Sequence, residues 1–169
     1  LPFSLYSNFV IEAKYGFNRM TMGTFFADLA KGALLQAFIG GGLLSLLIII
    51  FEHIGVHFWW TGWIIMAIFS ISMSGLYVRL FLPLFNKLTP MEDSPLKTKI
   101  EQYARGIDFP VTKIFVMDGS KRSNKANAFF TGLGRQKTIV LYDTLIEKFD
   151  DDELLAVLAH EVGHYKRRH

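Results

Sequence analysis

The stretch GALLQAFIGGGLLSLLIIIF, Gly32 to Phe51, continues past Glu52 into HIGVHFWWTGWIIMAIFSISMSGLYV, His53 to Val78, and its reading decides the fold. Glu52 is the one formal charge in the whole stretch. As a helix, Gly32 to Phe51 would be roughly 30 Å long, the thickness of a bilayer core. His53 to Trp60 contains two His, Gly55 and two Trp, and reads as a short interfacial connection. A second span then runs from about Trp59 to Val78, with Trp59, Trp60 and Trp63 as an aromatic belt. A buried soluble hairpin is the alternative, and two consecutive stretches of this length argue against it. The pattern predicts a transmembrane helical hairpin.

Gly40, Gly41 and Gly42 stand in the middle of the first span. In a soluble helix they would cost roughly 3 kcal/mol against alanine. In a membrane they suit close packing against another helix, or a local break. Ser70, Ser72, Ser74 and Gly75 fit the same packing logic.

Charge outside this block sets the orientation. Lys14, Arg19 and Lys31 precede it, Arg79, Lys87, Lys97 and Lys99 follow it, and the connection has no Lys or Arg. Both ends, and everything after Arg79, are therefore expected on the cytoplasmic side. The net charge of +3 is accounted for by this asymmetry, and no basic stripe with interleaved aromatics points to nucleic acid. The absence of cysteine excludes a disulfide framework, a thiolate metal site and a cysteine nucleophile. Residues 1–31 are mixed in polarity and lack a signal peptide's continuous apolar run, so they read as an amphipathic connecting helix near the membrane surface. The chain opens on Leu1 rather than Met and its last ten residues run into a chemical motif, so it reads as part of a longer protein.

The remainder has the punctuation of a soluble α+β domain. Ser94-Pro95 offers an N-cap and a first-turn proline, with Leu96, Ile100, Tyr103 and Ala104 at helical spacing and Gly106 as a stop. Lys113 to Asp118 reads as a strand, as do Asn127 to Thr131 and Thr138 to Tyr142, with Gly132 and Gly134 closing the second. Asp143 to Phe149 reads as a short helix. A longer helix follows from Asp151, with Asp150 and Glu153 at capping-box spacing and Lys166-Arg167-Arg168 in its last turn.

That last helix carries His160-Glu161-Val162-Gly163-His164. Histidines four apart lie one above the other on a helical face and can bind one zinc ion, while the intervening glutamate is set to act as general base. With five His in the chain, chance yields the pattern on the order of one time in a hundred. Two histidines do not complete a catalytic zinc site, which usually has three protein ligands and a water. His169, five residues beyond His164, points away on a regular helix, which leaves an acidic residue further downstream.

The hairpin together with NAFFTG, TIVLYDTL and ELLAVLAHEVGH resembles the integral-membrane gluzincins. Within that group FVIEAKYGFN (Phe9 to Asn18), LPLFNKLTP (Leu82 to Pro90) and DGSKRSNKANAFFTGLG (Asp118 to Gly134) resemble the type I CAAX prenyl endopeptidases. The HtpX-like quality-control peptidases share NAF and HExxH without the FVIE and SKRS stretches. The resemblance implies an α-helical membrane protein with an α+β zincin-like catalytic portion: 1–31 a connecting segment, 32–78 the hairpin, 79–169 the first part of a cytoplasmic metallopeptidase domain. It implies a zinc endopeptidase, with His160 and His164 as ligands, Glu161 activating water and a glutamate outside this chain as third ligand. Asn127, Ala128 and Phe129 would be the strand that receives an extended peptide. For Phe129 and Phe130 core packing is the alternative, for Asn127 a cap, and for Lys121, Arg122 and Lys125 a solvated or headgroup-facing surface. The implied partners are a peptide or prenylated protein C-terminus, the lipid bilayer and the rest of the same polypeptide, in a bacterial inner membrane or the endoplasmic reticulum. A broader HtpX-like protease and a non-catalytic membrane scaffold are the competing readings, and the piece alone is expected to be inactive.

The orientation is directly testable. Single cysteines replacing Ser120 and Val56 in the full-length protein should react with an impermeant maleimide from opposite sides of the membrane. Labelling of both from one side would contradict a two-span hairpin.

Overall fold

The computed structural model describes residues 1–131 and 137–167, the last four of them by backbone alone. The chain forms two compact units, Leu1–Met20 with Asn86–His169, and Thr21–Phe85.

The unit Thr21–Phe85 is helical almost throughout. Thr21 caps helix α2 (Met22–Leu35) by accepting from the Thr24 amide, and a π-type turn, Gln36–Gly40, leads into α3 (Gly41–Ile54). The apolar helical run is therefore longer than its uncharged block, spanning Met22–Phe85. The chain reverses at Gly55, whose φ of 60° and ψ of −122° belong to a region that residues with a Cβ avoid. Then come α4 (Phe58–Leu76), a second π-type turn, Tyr77–Phe81, and α5 (Leu82–Phe85), where Pro83 withholds an amide from the helical ladder. Phe51 and Phe58 meet edge to face at 5.3 Å across the reversal, and Lys31 Nζ donates to the Leu84 carbonyl at 2.9 Å. In its most apolar window, of mean hydropathy 2.4, no residue is buried. In water such a surface would aggregate, so its solvent is lipid. No described atom outside the helix's own backbone approaches within 4 Å of where a Cβ would stand at Gly41 or Gly42. Among the described residues no side chain packs against Gly41 or Gly42.

The other unit begins with α1 (Pro2–Tyr6), prolonged by a π-type turn, Ser7–Glu12. Gly16 at φ 70° ends the helical course, and Asn18 forms an isolated bridge with Ser123. Leu1–Met20 is thus helix followed by a short extended strap from Phe17, not the single connecting helix expected, because the Phe17 and Asn18 amides fold back onto the Glu12 carbonyl.

Its sheet has the order β1-β2-β4-β3. Strand β1 (Leu88–Pro90) is antiparallel to β2 (Val111–Met117), β2 parallel to β4 (Lys137–Tyr142), and β4 antiparallel to β3 (Ala128–Thr131). Helix α6 (Pro95–Gly106), capped by Ser94 accepting from the Lys97 amide, joins β1 to β2. Helices α7 (Asp143–Lys148) and α8 (Asp151–Arg167) follow β4. Central β4 carries Ile139, Val140 and Leu141, each at most 2% exposed. Leu96 and Ile100 of α6, Leu145 of α7, and Leu154 and Leu158 of α8 share the core cluster of Ile139 and Leu141. Each fully buried Leu or Ile contributes roughly 1.5–3 kcal/mol. The Gly132 and Gly134 turn, Arg168 and His169 lie outside the described residues, as do the side chains of His164, Lys166 and Arg167.

Gly119, between β2 and β3, abuts the Tyr142 ring: a Cβ there would also stand 3.0 Å from its Cγ. Gly119→Ala should therefore destabilise the full-length protein by about 1–3 kcal/mol, read as a lower thermal midpoint in detergent. An unchanged midpoint would mean that the ring swings aside at no cost.

Candidate metal and substrate site

The helix that bears HExxH starts on a complete capping box. Asp150 Oδ1 accepts from the amides of Asp152 at 3.0 Å and Glu153 at 2.8 Å, and Glu153 Oε2 accepts from the Asp150 amide at 3.1 Å. Its acidic first turn also suits the positive end of the helix dipole. Leu154, Leu158 and Val162, at steps of four, are 0%, 1% and 4% exposed. Burying that side turns His160 outward, where it is exposed, and leaves Glu161 half-buried at the rim.

His160 and His164 both fall on the helical course of α8, one turn apart, so the register of the backbone suits a shared metal ion. The His164 ring is outside the described residues. Among the described residues no set of three His, Cys, Asp or Glu gathers into a metal-binding group. The donor chemistry of two imidazoles on successive turns fits zinc, with further ligands required to complete it.

Beside this helix runs the edge of the sheet. Val162 shares a core cluster with Phe109 and Ala104, and Phe130 of β3 packs against it, its ring edge to face with Phe109 at 5.3 Å. Phe129 points the other way, toward Tyr142 at 6.4 Å. The Ala128 side chain is 7% exposed and part of the main core, so only its backbone is available to a ligand. The Tyr142 amide donates to the Asn127 carbonyl at 3.0 Å, which fixes the parity of the ladder. Asn127 and Phe129 direct their backbone groups at β4, and Ala128 and Phe130 direct theirs to the open side. Asn127 Oδ1 itself accepts from the Ala128 amide at 2.9 Å, capping the strand. Phe130, expected as core, packs against the clusters of both Val162 and Leu158, and Ala128 shares the latter, so these two residues tie the edge strand to α8.

The basic loop before β3 keeps Lys121 and Lys125 exposed, as a solvated surface would, yet it is fastened at several points. Lys125 Nζ pairs with Glu12 at 2.7 Å, and Arg122 Nη1 donates to Asn86 Oδ1 at 2.9 Å. Asp143 accepts from the Ser120 amide at 2.8 Å and from the Ser120 hydroxyl, fastening the other end of the loop to α7. These pairings join residues far apart in sequence, and no local pattern announces them.

Comparison with known proteins extends this picture. A family model described as "CAAX prenyl protease N-terminal, five membrane helices" matches residues 1–87, and one described as "Peptidase family M48" matches residues 90–169. The CAAX prenyl protease 1 homolog of Arabidopsis thaliana is 45% identical over 170 residues, covering 100% of this chain and 40% of that protein. CAAX prenyl protease 1 of Saccharomyces cerevisiae is 44% identical, with 100% and 38% covered. The crystal structure of S. mikatae Ste24p superposes with a TM-score of 0.93 at 44% identity, over 99% of this chain and 40% of that one. The chain therefore spans about two fifths of the length of these relatives.

A surface clamp holds the start of α8. Lys99 Nζ on α6 lies 2.8 Å from Asp152 and 3.5 Å from Asp151. The hydrogen bond to Asp152, opposed by partial desolvation and helped by the Asp charges, raises the Lys99 pKa above its ordinary 10.5. A raised lysine pKa means that the clamp is complete below that value and lost as pH rises through the higher folded one. Lys99→Met should thus speed amide exchange in the first turn of α8 at neutral pH and low salt. High salt should narrow the difference, since the pair is exposed. Equal exchange at low salt would dismiss the clamp.

Proposed function

This chain belongs to the CAAX prenyl protease family of M48 peptidases, and we propose on that ground that it carries the zinc-binding helix and substrate strand of a membrane endopeptidase. Its substrates are membrane-associated peptides, in the first place the C-terminal tripeptides of prenylated proteins. The observation that carries this reading is the shared packing of Val162, on the HExxH helix, with Phe130, on the edge strand. With that packing, the strand edge proposed for the peptide would lie beside Glu161, the proposed general base.

His160 and His164 would hold zinc through imidazole nitrogens, with a glutamate outside this chain as the expected third ligand. When bound, zinc supplies a Lewis acid for the scissile carbonyl. An extended peptide adds to β3 through the Ala128 carbonyl and the Phe130 backbone, both directed away from β4. Asn127 keeps the Ala128 amide occupied and so shapes which groups the peptide meets. Phe129, on the far side of the strand from Phe130, flanks the edge. Glu161 takes a proton from the attacking water at its carboxylate and delivers it to the leaving amine.

The apolar region crosses the bilayer twice, with residues 79–169 on the cytoplasmic face and 1–31 connecting on the same side. Support comes from the Lys and Arg distribution and from Arg122, which bonds both Arg19 before the region and Asn86 after it. The membrane is a bacterial inner membrane or the endoplasmic reticulum. A substrate already anchored in that membrane by its lipid needs only two-dimensional search to reach the site.

In the full-length protein, Glu161→Gln should keep stoichiometric zinc and lose hydrolysis of a prenylated peptide by at least about a hundredfold. Metal analysis and peptide cleavage read the two separately. Loss of zinc with the activity would make Glu161 a ligand, and equal cleavage of unprenylated peptide by the wild type would favour a quality-control peptidase.

A further inference from the structure

The strap Phe9 to Met20 and the loop Lys121 to Lys125 are about a hundred residues apart in sequence, and in the fold they are fastened to one another. The Arg19 amide donates to the Arg122 carbonyl at 3.0 Å, and the Asn124 amide to the Phe17 carbonyl at 2.8 Å. Asn124 Nδ2 donates to the Gly16 carbonyl at 2.8 Å, and Asn18 bridges Ser123. Glu12 ends the array: its carboxylate takes Lys125 Nζ at 2.7 Å, while its carbonyl receives the Phe17 amide at 2.8 Å. Lys125 Nζ also stands 5.5 Å from the centre of the Phe17 ring. From the opposite side, Thr144 Oγ1 donates to the Lys125 carbonyl at 2.9 Å, and Lys148 Nζ donates to the Asn124 carbonyl.

Two residues after Lys125 the chain enters Asn127 and then β3. This edge strand is four residues long and, among the described residues, pairs only with β4. Its lead-in therefore determines where its outer backbone groups stand. We propose that Glu12 is a positioning residue for peptide binding, acting through Lys125 to hold the lead-in of β3. The assignment rests on the reading of β3 as the substrate strand. Glu12 is remote from the HExxH turn in sequence and makes no contact with it that the structure records, so its effect falls on peptide capture and not on proton transfer. The Glu12 side chain is 23% exposed and that of Lys125 is 53% exposed. A pair this exposed is worth a factor of at most about five.

The test uses full-length protein and a fluorescent peptide ending in a farnesylated cysteine followed by three residues. Glu12→Gln should raise its KM about three- to fivefold and leave kcat within about twofold. In a Glu161→Gln background the same change should weaken binding of the uncleaved peptide by the same factor. Glu12→Lys and Lys125→Glu should each impair capture, and the two together should recover it to within about twofold of wild type. An unchanged KM and affinity, a fall in kcat alone, or no recovery in the reversed pair would overturn the proposal. A Glu12→Gln protein that loses its thermal transition would do so as well, by making the residue merely structural. Wild-type protein that binds the peptide without cleaving it would instead defeat the endopeptidase reading, while the affinity series still decides the role of Glu12.

Discussion

One side of α8 must be buried against the sheet, and the rest of the soluble unit depends on that burial. Leu154, Leu158 and Val162 fall in one stripe and disappear into the clusters built by β4, α6 and the edge strand. A helix turns about 100° per residue, so a residue two places after a core position faces nearly away from it. His160 stands two after Leu158, and His164 two after Val162. Glu161, one place from Val162, is left at the rim. Packing claims one face of α8, and His160 is left on what remains. Shifting the apolar stripe by two residues would put His160 on the core face and lose the packing.

The unit Thr21–Phe85 obeys the opposite rule. None of its most apolar window is buried, and its bulky side chains, such as Phe38 at 81% exposure and Trp63 at 67%, face outward. Lipid replaces the protein core as the apolar medium, so backbone satisfaction becomes the governing demand. Helix supplies it nearly everywhere. Where it lapses, the chain adapts locally: a π-type turn precedes Pro83, and Lys31 reaches the Leu84 carbonyl near the end of α5. Helix-terminal carbonyls accept a lysine well, because the dipole leaves them negative.

What was legible in the sequence was what is local. The Ser94-Pro95 start, the Asp150–Glu153 capping box and the stripe of α8 each depend on neighbours within one or two turns, and the structure forms all three. TIVLY reads as a strand because its residues favour one and it is enclosed by turn signals. Strand β1 was missed because Leu88–Pro90 is three residues long and ends in proline, and only pairing with β2 makes it a strand. The strap was missed for the same reason on a larger scale. Glu12 and Lys125 are ordinary charged residues until the fold sets them 2.7 Å apart. At the site, HExxH was visible as a spacing. That Ala128 offers only backbone, and that Phe130 links strand to helix, required the three-dimensional core.

The strap also gives the apolar region a geometric constraint that hydropathy does not. The chain leaves the soluble unit after Met20 and re-enters it at Asn86. Arg122 meets both ends, taking the Arg19 amide on its carbonyl and offering its guanidinium to Asn86. Arg19 and Asn86, which flank the run Met22–Phe85, therefore meet at one residue of the loop. Glu12, Lys125 and Arg122 then form one fastening, at which the edge strand and the residues flanking the apolar run are tied to the same short loop.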